Sequence, residues 1–237
     1  MSLRTTLQRV ERRLSGKMTR VPLERFLAAH ASTARTLDIG SSAGPYIGQF
    51  PNRVGLDIVR APGVGVIGNA HALPFAGGTF EQVLCTEVLE HLVEPQRAVD
   101  EMWRVLAPGG RLILTTRFLF PIHDGPGDYF RFTRYGLAHL LRRFDEVAIR
   151  EEAGAIDTLA FLVQRIGIQA DTLGWRPLRW AWFLLAHVVR LGRRLVTREY
   201  IDNRGWRTRA EGRMMTSGYH VVARKPGSLE PRAQSLP

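Results

Sequence analysis

The segment Leu37–Gly44 (LDIGSSAG) places an acid, Asp38, near the end of an apolar run, Gly40 in the turn that follows and Gly44 four residues further on. Gly40 permits a tight reversal, and Gly44 lets a ligand approach backbone N–H groups where a helix should begin. Seventeen residues past Gly40, at the end of the next apolar run, Asp57 is placed to accept hydrogen bonds from both hydroxyls of a ribose. Together these residues predict a site for a nucleoside-containing cofactor; taken alone, the two glycines would pass as ordinary turn and cap residues. The loop lacks the middle glycine of G-x-G-x-x-G, which disfavours a pyrophosphate dinucleotide.

Two further clusters carry chemistry. Glu87, Glu90 and His91 form E-x-x-E-H, and on a helical turn these positions share one face, where a divalent cation could sit. No metal is assigned there, because Glu87 serves equally as a solvent-facing acid and His91 as a ring closing over a ligand. His91 is also the leading candidate for a general base. The second cluster is FPIHDGPGDYFRFT from Phe120, in which His123 is the alternative base and Asp124, Tyr129 and Arg131 are candidates for binding an acceptor. Arg131 suits a phosphate or carboxylate; the other reading is an Arg–Asp pair, with Thr133 capping a helix over Tyr135–Arg142.

Positioning these groups requires strands. Arg35–Gly40, Val54–Val59, Gly63–Ile67, Phe80–Thr86 and Arg111–Thr116 are short apolar runs bounded by Gly, Pro or Asp, as expected of buried strands. Pro95–Leu106 is amphipathic, with Ala98, Met102, Val105 and Leu106 on one face and a Pro-Gly-Gly stop at Pro108–Gly110. Strands alternating with helices predict an α/β fold: a Rossmann-like, doubly wound, mostly parallel seven-stranded sheet with helices on both faces. Glu146–Arg150 and Ser217–Ala223 are the late strands, separated by a helical insertion over about 153–213. The expected organisation is a basic N-terminal helical segment (1–34), the main domain (35–225) and a disordered tail (226–237).

The 237 residues suit one such domain, and 45% hydrophobic with 23% charged residues excludes a disordered, collagenous or coiled-coil chain. The single cysteine, Cys85, excludes an internal disulfide and a cysteine-rich zinc site, so a cytoplasmic protein is expected. The net charge of +11 lies outside the middle of the chain. Residues 1–36 carry eight basic and two acidic residues, 37–170 twelve and fifteen, and 171–213 ten and four. Only Lys17 and Lys225 are lysines. Trp175–Leu195 sets Trp180, Trp182, Phe183, Leu184 and Leu185 between arginines. That pattern suits a helix lying on anionic lipid or a lid over a lipid-linked substrate, and equally a helix packed on the sheet or at a dimer contact.

The chain resembles the class I S-adenosylmethionine-dependent methyltransferases, in the type 11 branch. LDIGSSAG is similar to their cofactor loop, VGLDIV to the ribose-binding strand, GNAHALPF to the adenine segment, FEQVLCTEVLEHL to the fourth strand and its exit, and LAPGGRLILTT to the turn into the fifth strand. The resemblance covers roughly Arg35–Leu141. It implies S-adenosyl-L-methionine as cofactor, held by Asp38, Gly40, Ser41, Gly44, Asp57, Asn69, Ala70 and Thr86. Asp38 would face the ammonium, Asp57 the ribose and Asn69 the adenine amine. The family usually has Asp where Asn69 stands, so that contact keeps an acceptor but loses its charge. The implied function is methyl transfer to a small-molecule or glycan acceptor, lipid-linked acceptors included, with a hydroxyl as the expected nucleophile. Two alternatives stay open: an RNA methyltransferase, suggested by the basic flanks although no RNA-binding module is visible, and a non-catalytic scaffold retaining the fold.

Overall fold

A computed structural model describes residues 16–41, 46–172, 174, 176–196, 199–203, 206–209 and 213–227. Its strands are β1 (Thr36–Ile39), β2 (Arg53–Asp57), β3 (Val66–Ile67), β4 (Phe80–Thr86), β5 (Leu106–Arg117), β6 (Asp145–Glu151), β7 (Tyr200–Asn203), β8 (Trp206–Arg209) and β9 (Gly218–Arg224). Seven of them form one sheet in the order β3-β2-β1-β4-β5-β9-β6. The strands from β3 to β5 in that order are parallel, with Asp38 level with Gly55 on one side and Leu84 on the other. Lys225 N donates to Gly110 O (2.8 Å) and Phe118 N to Ser217 O (2.9 Å), so β9 runs against β5. The sheet is therefore mixed, as expected for this fold class.

Leu37 and Ile39 of β1, Val83–Cys85 of β4 and Leu112–Leu114 of β5 are all almost wholly buried. Consecutive buried residues need both faces of a strand covered, which is why these runs lack alternation. Because β1, β2, β4 and β5 run in parallel, their carboxyl ends share one edge. The loops that follow Ile39, Asp57, Thr86 and Arg117 leave it side by side.

The helices are α1 (Arg20–Ala28), α2 (Pro95–Val105), α3 (Arg134–Leu140), α4 (Ala155–Thr172) and α5 (Arg176–Leu191). α2 starts with Pro95 in its first turn and buries Ala98, Val99, Met102 and Val105. It does not stop at Pro108–Gly110: Leu106 is already extended, and β5 begins there, with a register shift opposite Phe80 and Gln82. β3 is shorter than the Gly63–Ile67 run because only Val66 and Ile67 pair with β2.

The chain divides into two compact units. One comprises Leu27–Arg117, His123–Arg150 and His220–Pro237 and contains most of the sheet; the other comprises Met1–Phe26, Phe118–Ile122 and Glu151–Tyr219. In the second unit α4 and α5 pack as an antiparallel pair. A Cβ on Gly167 would lie 2.8 Å from the Phe183 ring, and Arg190 Nε bonds Asp157 Oδ1 at 3.0 Å. The insertion is not wholly helical, since β7 and β8 form an antiparallel hairpin. The end of the tail, 228–237, lies outside the described residues.

His220, in β9, carries a pH dependence. Burial, with Arg117 and His30 adding to it, pushes its pKa from the ordinary 6.5 down to about 4. Between those values the unfolded chain binds the extra proton, so this group's stabilising contribution is intact above pH 6.5 and is lost as pH falls towards 4. The loss is at most about 3 kcal/mol. His220→Gln is expected to flatten the acid limb of stability, read as the difference in urea midpoint from the parent between pH 7 and pH 4.5.

Candidate cofactor and acceptor site

At the carboxyl edge of the parallel strands lies a hollow of about 300 Å³. Gly40, Asp57, Asn69, Ala70, His91 and Asp124 are among its lining residues, together with Glu87 and Val88. Gly40 has φ +74°, its N–H bonds Leu56 O at 2.8 Å, and a Cβ there would fall 2.2 Å from Val88 Cγ2. Glycine is thus required twice, by the turn and by the close approach of Val88. Asp57 stands at the end of β2, where its Oδ1 accepts from Val59 N at 3.1 Å and holds the carboxylate at the rim. The Leu73–Phe75 segment is pinned to α2. Arg104 donates to the carbonyls of Leu73 and Phe75 (3.0 and 2.8 Å), and Glu101 accepts from Leu73 N (2.8 Å). Asn69 lines the hollow, but its Oδ1 already accepts from the backbone N and Nδ1 of His71 (2.9 and 2.8 Å).

Asp38, Ser41 and Thr86 are not among the residues lining the hollow. Asp38 is buried and bonds Arg53 Nη1 at 2.6 Å, and the same nitrogen reaches Ser41 Oγ at 2.5 Å. Burial pushes the Asp38 carboxyl up to about 6 despite the opposing Arg53 guanidinium, and among the described residues its Oδ1 has no hydrogen-bond partner. Thr86 Oγ1 lies 3.1 Å from Tyr46 Oη. Gly44 lies outside the described residues. Arg53 is a residue that sequence reasoning missed, and no local pattern marks it: it meets Asp38 only because β2 lies beside β1.

The E-x-x-E-H face does not form. Glu87 has φ +57° and pairs with Arg117, while the short helical turn covers only Leu89–His91. With left-handed backbone, Glu87 stands outside the helical turn, and its carboxylate pairs with Arg117 rather than joining Glu90 and His91. His123 takes its place beside them, and Glu90, His91 and His123 each present a ligand atom within 4.8 Å of the others. The Glu90 carbonyl draws the second cluster in by accepting from Tyr129 N (3.0 Å) and Phe130 N (3.1 Å). The Glu90 side chain is fully buried, Oε2 accepts from Thr116 Oγ1 at 2.8 Å, and burial raises its pKa.

His91 Nδ1 lies 2.8 Å from Gly127 O, a pure acceptor, so Nδ1 carries the hydrogen and Nε2 of the neutral ring the lone pair. That Nε2 lies 3.2 Å from His123 Nε2. On its far side, His123 Nδ1 lies 3.4 Å from Asp128 Oδ2, and burial keeps the His123 pKa below the ordinary imidazole value. Asp128 forms a two-pronged pair with Arg131 (2.5 and 2.6 Å), which holds its carboxyl well below the usual range. Arg131 is therefore engaged with Asp128, and Thr133 caps α3 by accepting from Gly136 N at 3.1 Å. Tyr129 is half exposed and is not among the lining residues.

This strand-tip hollow coincides with a family match: residues 37–114 fit the family model Methyltransf_11, a methyltransferase domain. Over 106 residues the chain is 34% identical to the ubiquinone/menaquinone biosynthesis C-methyltransferase UbiE of Pasteurella multocida, covering 42% of this chain and 37% of that protein. Over 104 residues it is 36% identical to the demethylmenaquinone methyltransferase of Renibacterium salmoninarum, covering 40% and 41%. The chain thus spans well under half the length of these curated relatives. Among solved structures it superposes on an S-adenosylmethionine-dependent methyltransferase of Thermotoga maritima with TM-score 0.54 and 15% identity, covering 94% and 96%. It also superposes on the [4+2]-cyclase SpnF with TM-score 0.51 and 17% identity, covering 86% and 81%. These likenesses show the methyltransferase fold, which SpnF uses for a different reaction.

Proposed function

We propose that this protein transfers a methyl group from S-adenosyl-L-methionine to a hydroxyl of a small-molecule or glycan acceptor. The observation that carries the reading is the hollow itself, because Gly40, Asp57, Asn69 and Ala70, drawn from three separate segments of the matched domain, converge on it. Those residues suit the cofactor: a tight turn at Gly40, a carboxylate for the ribose at Asp57 and an apolar wall at Ala70. The bound cofactor would supply a methyl group already activated on a sulfonium. The chain's own residues then have two tasks, to align the acceptor and to receive its proton. His91 suits the second, since it lines the hollow and its Nε2 carries the lone pair. The proton of the acceptor hydroxyl would pass to His91, with His123 next to it as relay. Asp124, also at the hollow, would face the acceptor.

The test is calorimetric titration with S-adenosylhomocysteine, followed by transfer of labelled methyl to phenolic, quinol and sugar acceptors. No binding by the folded chain would leave the scaffold reading, and salt-sensitive retention of RNA with methylated RNA as product would replace the small-molecule acceptor.

A lipid-linked acceptor is favoured by one feature of the second unit. Leu178, Leu184, Leu185, Val188 and Leu191 of α5 are all more than 40% exposed, and Arg190, Arg193 and Arg194 stand beside them. An apolar stripe flanked by arginines suits peripheral contact with anionic lipid. Among the described residues no helix is long and apolar enough to cross a membrane. Co-sedimentation with phosphatidylglycerol vesicles is expected to fall at least about tenfold in Leu184→Glu/Leu191→Glu; equal binding by both proteins sinks the idea.

A further inference from the structure

We propose that Glu90, His91 and His123 bind a first-row divalent transition cation of the zinc class. The geometry of the two imidazoles points there. Two imidazole nitrogens on one tetrahedral zinc, each about 2.0–2.1 Å from it, lie about 3.3–3.4 Å apart. The Nε2 atoms of His91 and His123 are 3.2 Å apart.

What stands behind each ring supports the same assignment. His91 gives its Nδ1 hydrogen to Gly127 O, and His123 sets Nδ1 beside Asp128 Oδ2 while its backbone N–H bonds the same oxygen at 3.0 Å. His91 thus has an acceptor on Nδ1, the arrangement that turns the Nε2 lone pair forward in metal-ligating histidines, and the Asp128 carboxylate lies 3.4 Å from His123 Nδ1 without hydrogen-bond geometry. With both rings neutral and no cation bound, the two inner nitrogens compete. If His123 places its hydrogen on Nε2 to bond His91, its Nδ1 lone pair faces a carboxylate; if on Nδ1, two lone pairs meet at 3.2 Å. A cation between them removes the conflict.

The carboxylate completes the set. Glu90 is fully buried, Thr116 orients one of its oxygens, and the other, Oε1, is buried with no hydrogen-bond partner among the described residues. Two imidazoles and a carboxylate suit zinc, iron(II) or cobalt(II), whereas magnesium and calcium prefer oxygen ligands. The cation would border the hollow through His91 and make a coordinated acceptor hydroxyl more acidic; with His91 Nε2 bound to it, the cation replaces His91 as the group that promotes loss of that proton. Binding of the cation does not need the methyltransferase reading; its use on an acceptor hydroxyl rests on it.

The experiment uses the full chain stripped with a chelator. Zn²⁺ is titrated calorimetrically and Co²⁺ by its visible d–d absorption. One site per chain is expected, weakened at least about 100-fold in His123→Ala and in Glu90→Gln and unchanged in His139→Ala, an exposed histidine of α3. Far-UV circular dichroism checks each fold, and His123→Ala, a loop substitution, decides if the buried Glu90 variant unfolds. No Zn²⁺ or Co²⁺ binding by the folded parent overturns the proposal, as does binding that survives His123→Ala. S-adenosylhomocysteine titrated into the same sample separates the two readings: its binding without metal binding leaves the methyltransferase reading standing, and the reverse leaves only the metal site.

Discussion

Asp57→Ala is expected to weaken S-adenosylhomocysteine binding about 100-fold in calorimetry without unfolding the chain. The carboxylate stands at the end of β2 on the rim of the hollow, anchored through one oxygen by Val59 N. Two hydrogen bonds from ribose hydroxyls to a charged acceptor contribute about 1.5 kcal/mol each or more, and about 3 kcal/mol corresponds to that factor. Asp57→Asn, which keeps one acceptor, should lose about tenfold. Asn69→Ala gives the contrast. Its carbonyl is already occupied by His71, so a change within about threefold is expected although Asn69 lines the same hollow. Near-equal affinity of Asp57→Ala and the parent would remove the ribose from this edge of the sheet.

The second large effect falls on stability. In Gly40→Ala the new methyl group meets Val88 Cγ2 at 2.2 Å on a backbone of φ +74°. Left-handed backbone costs a residue with a Cβ about 1 kcal/mol, and forced overpacking adds about 1–3 kcal/mol. A loss of about 3 kcal/mol in urea unfolding is expected. Combining it with Val88→Ala should return the packing part and leave the backbone part, so the two substitutions couple by about 1–2 kcal/mol. Strict additivity would mean that Val88 yields freely and that the glycine is there for its backbone alone.

How far each residue could be foreseen depends on how local its role is. The placement of Gly40 and Asp57 was legible because each stands at a strand end or in the turn after it, whereas Ala70 entered only through the family resemblance. Strand-end geometry is encoded within a few residues and repeated at the same edge by parallel pairing. Asp38 illustrates the limit. Its position at the end of β1 was legible, but its partner Arg53 arrives through strand adjacency, and in the structure that arginine stands between the carboxylate and the expected ligand role. The E-x-x-E-H pattern failed for a backbone reason, since helical spacing was assumed where Glu87 takes a left-handed conformation.

By itself the sequence determined the sheet's central strands, the amphipathic helix α2 and the placement of Gly40 and Asp57 at the hollow. Apolar periodicity and turn chemistry act within short stretches of chain, so they survive without knowledge of the rest. Only the tertiary structure decided that His123 sits against His91, 32 residues away, with Glu90 completing the group. It also decided that Arg131 is tied to Asp128. Contacts of that kind depend on strand register and on the path of a loop held by Glu90's carbonyl, which no pattern of spacing along the chain records.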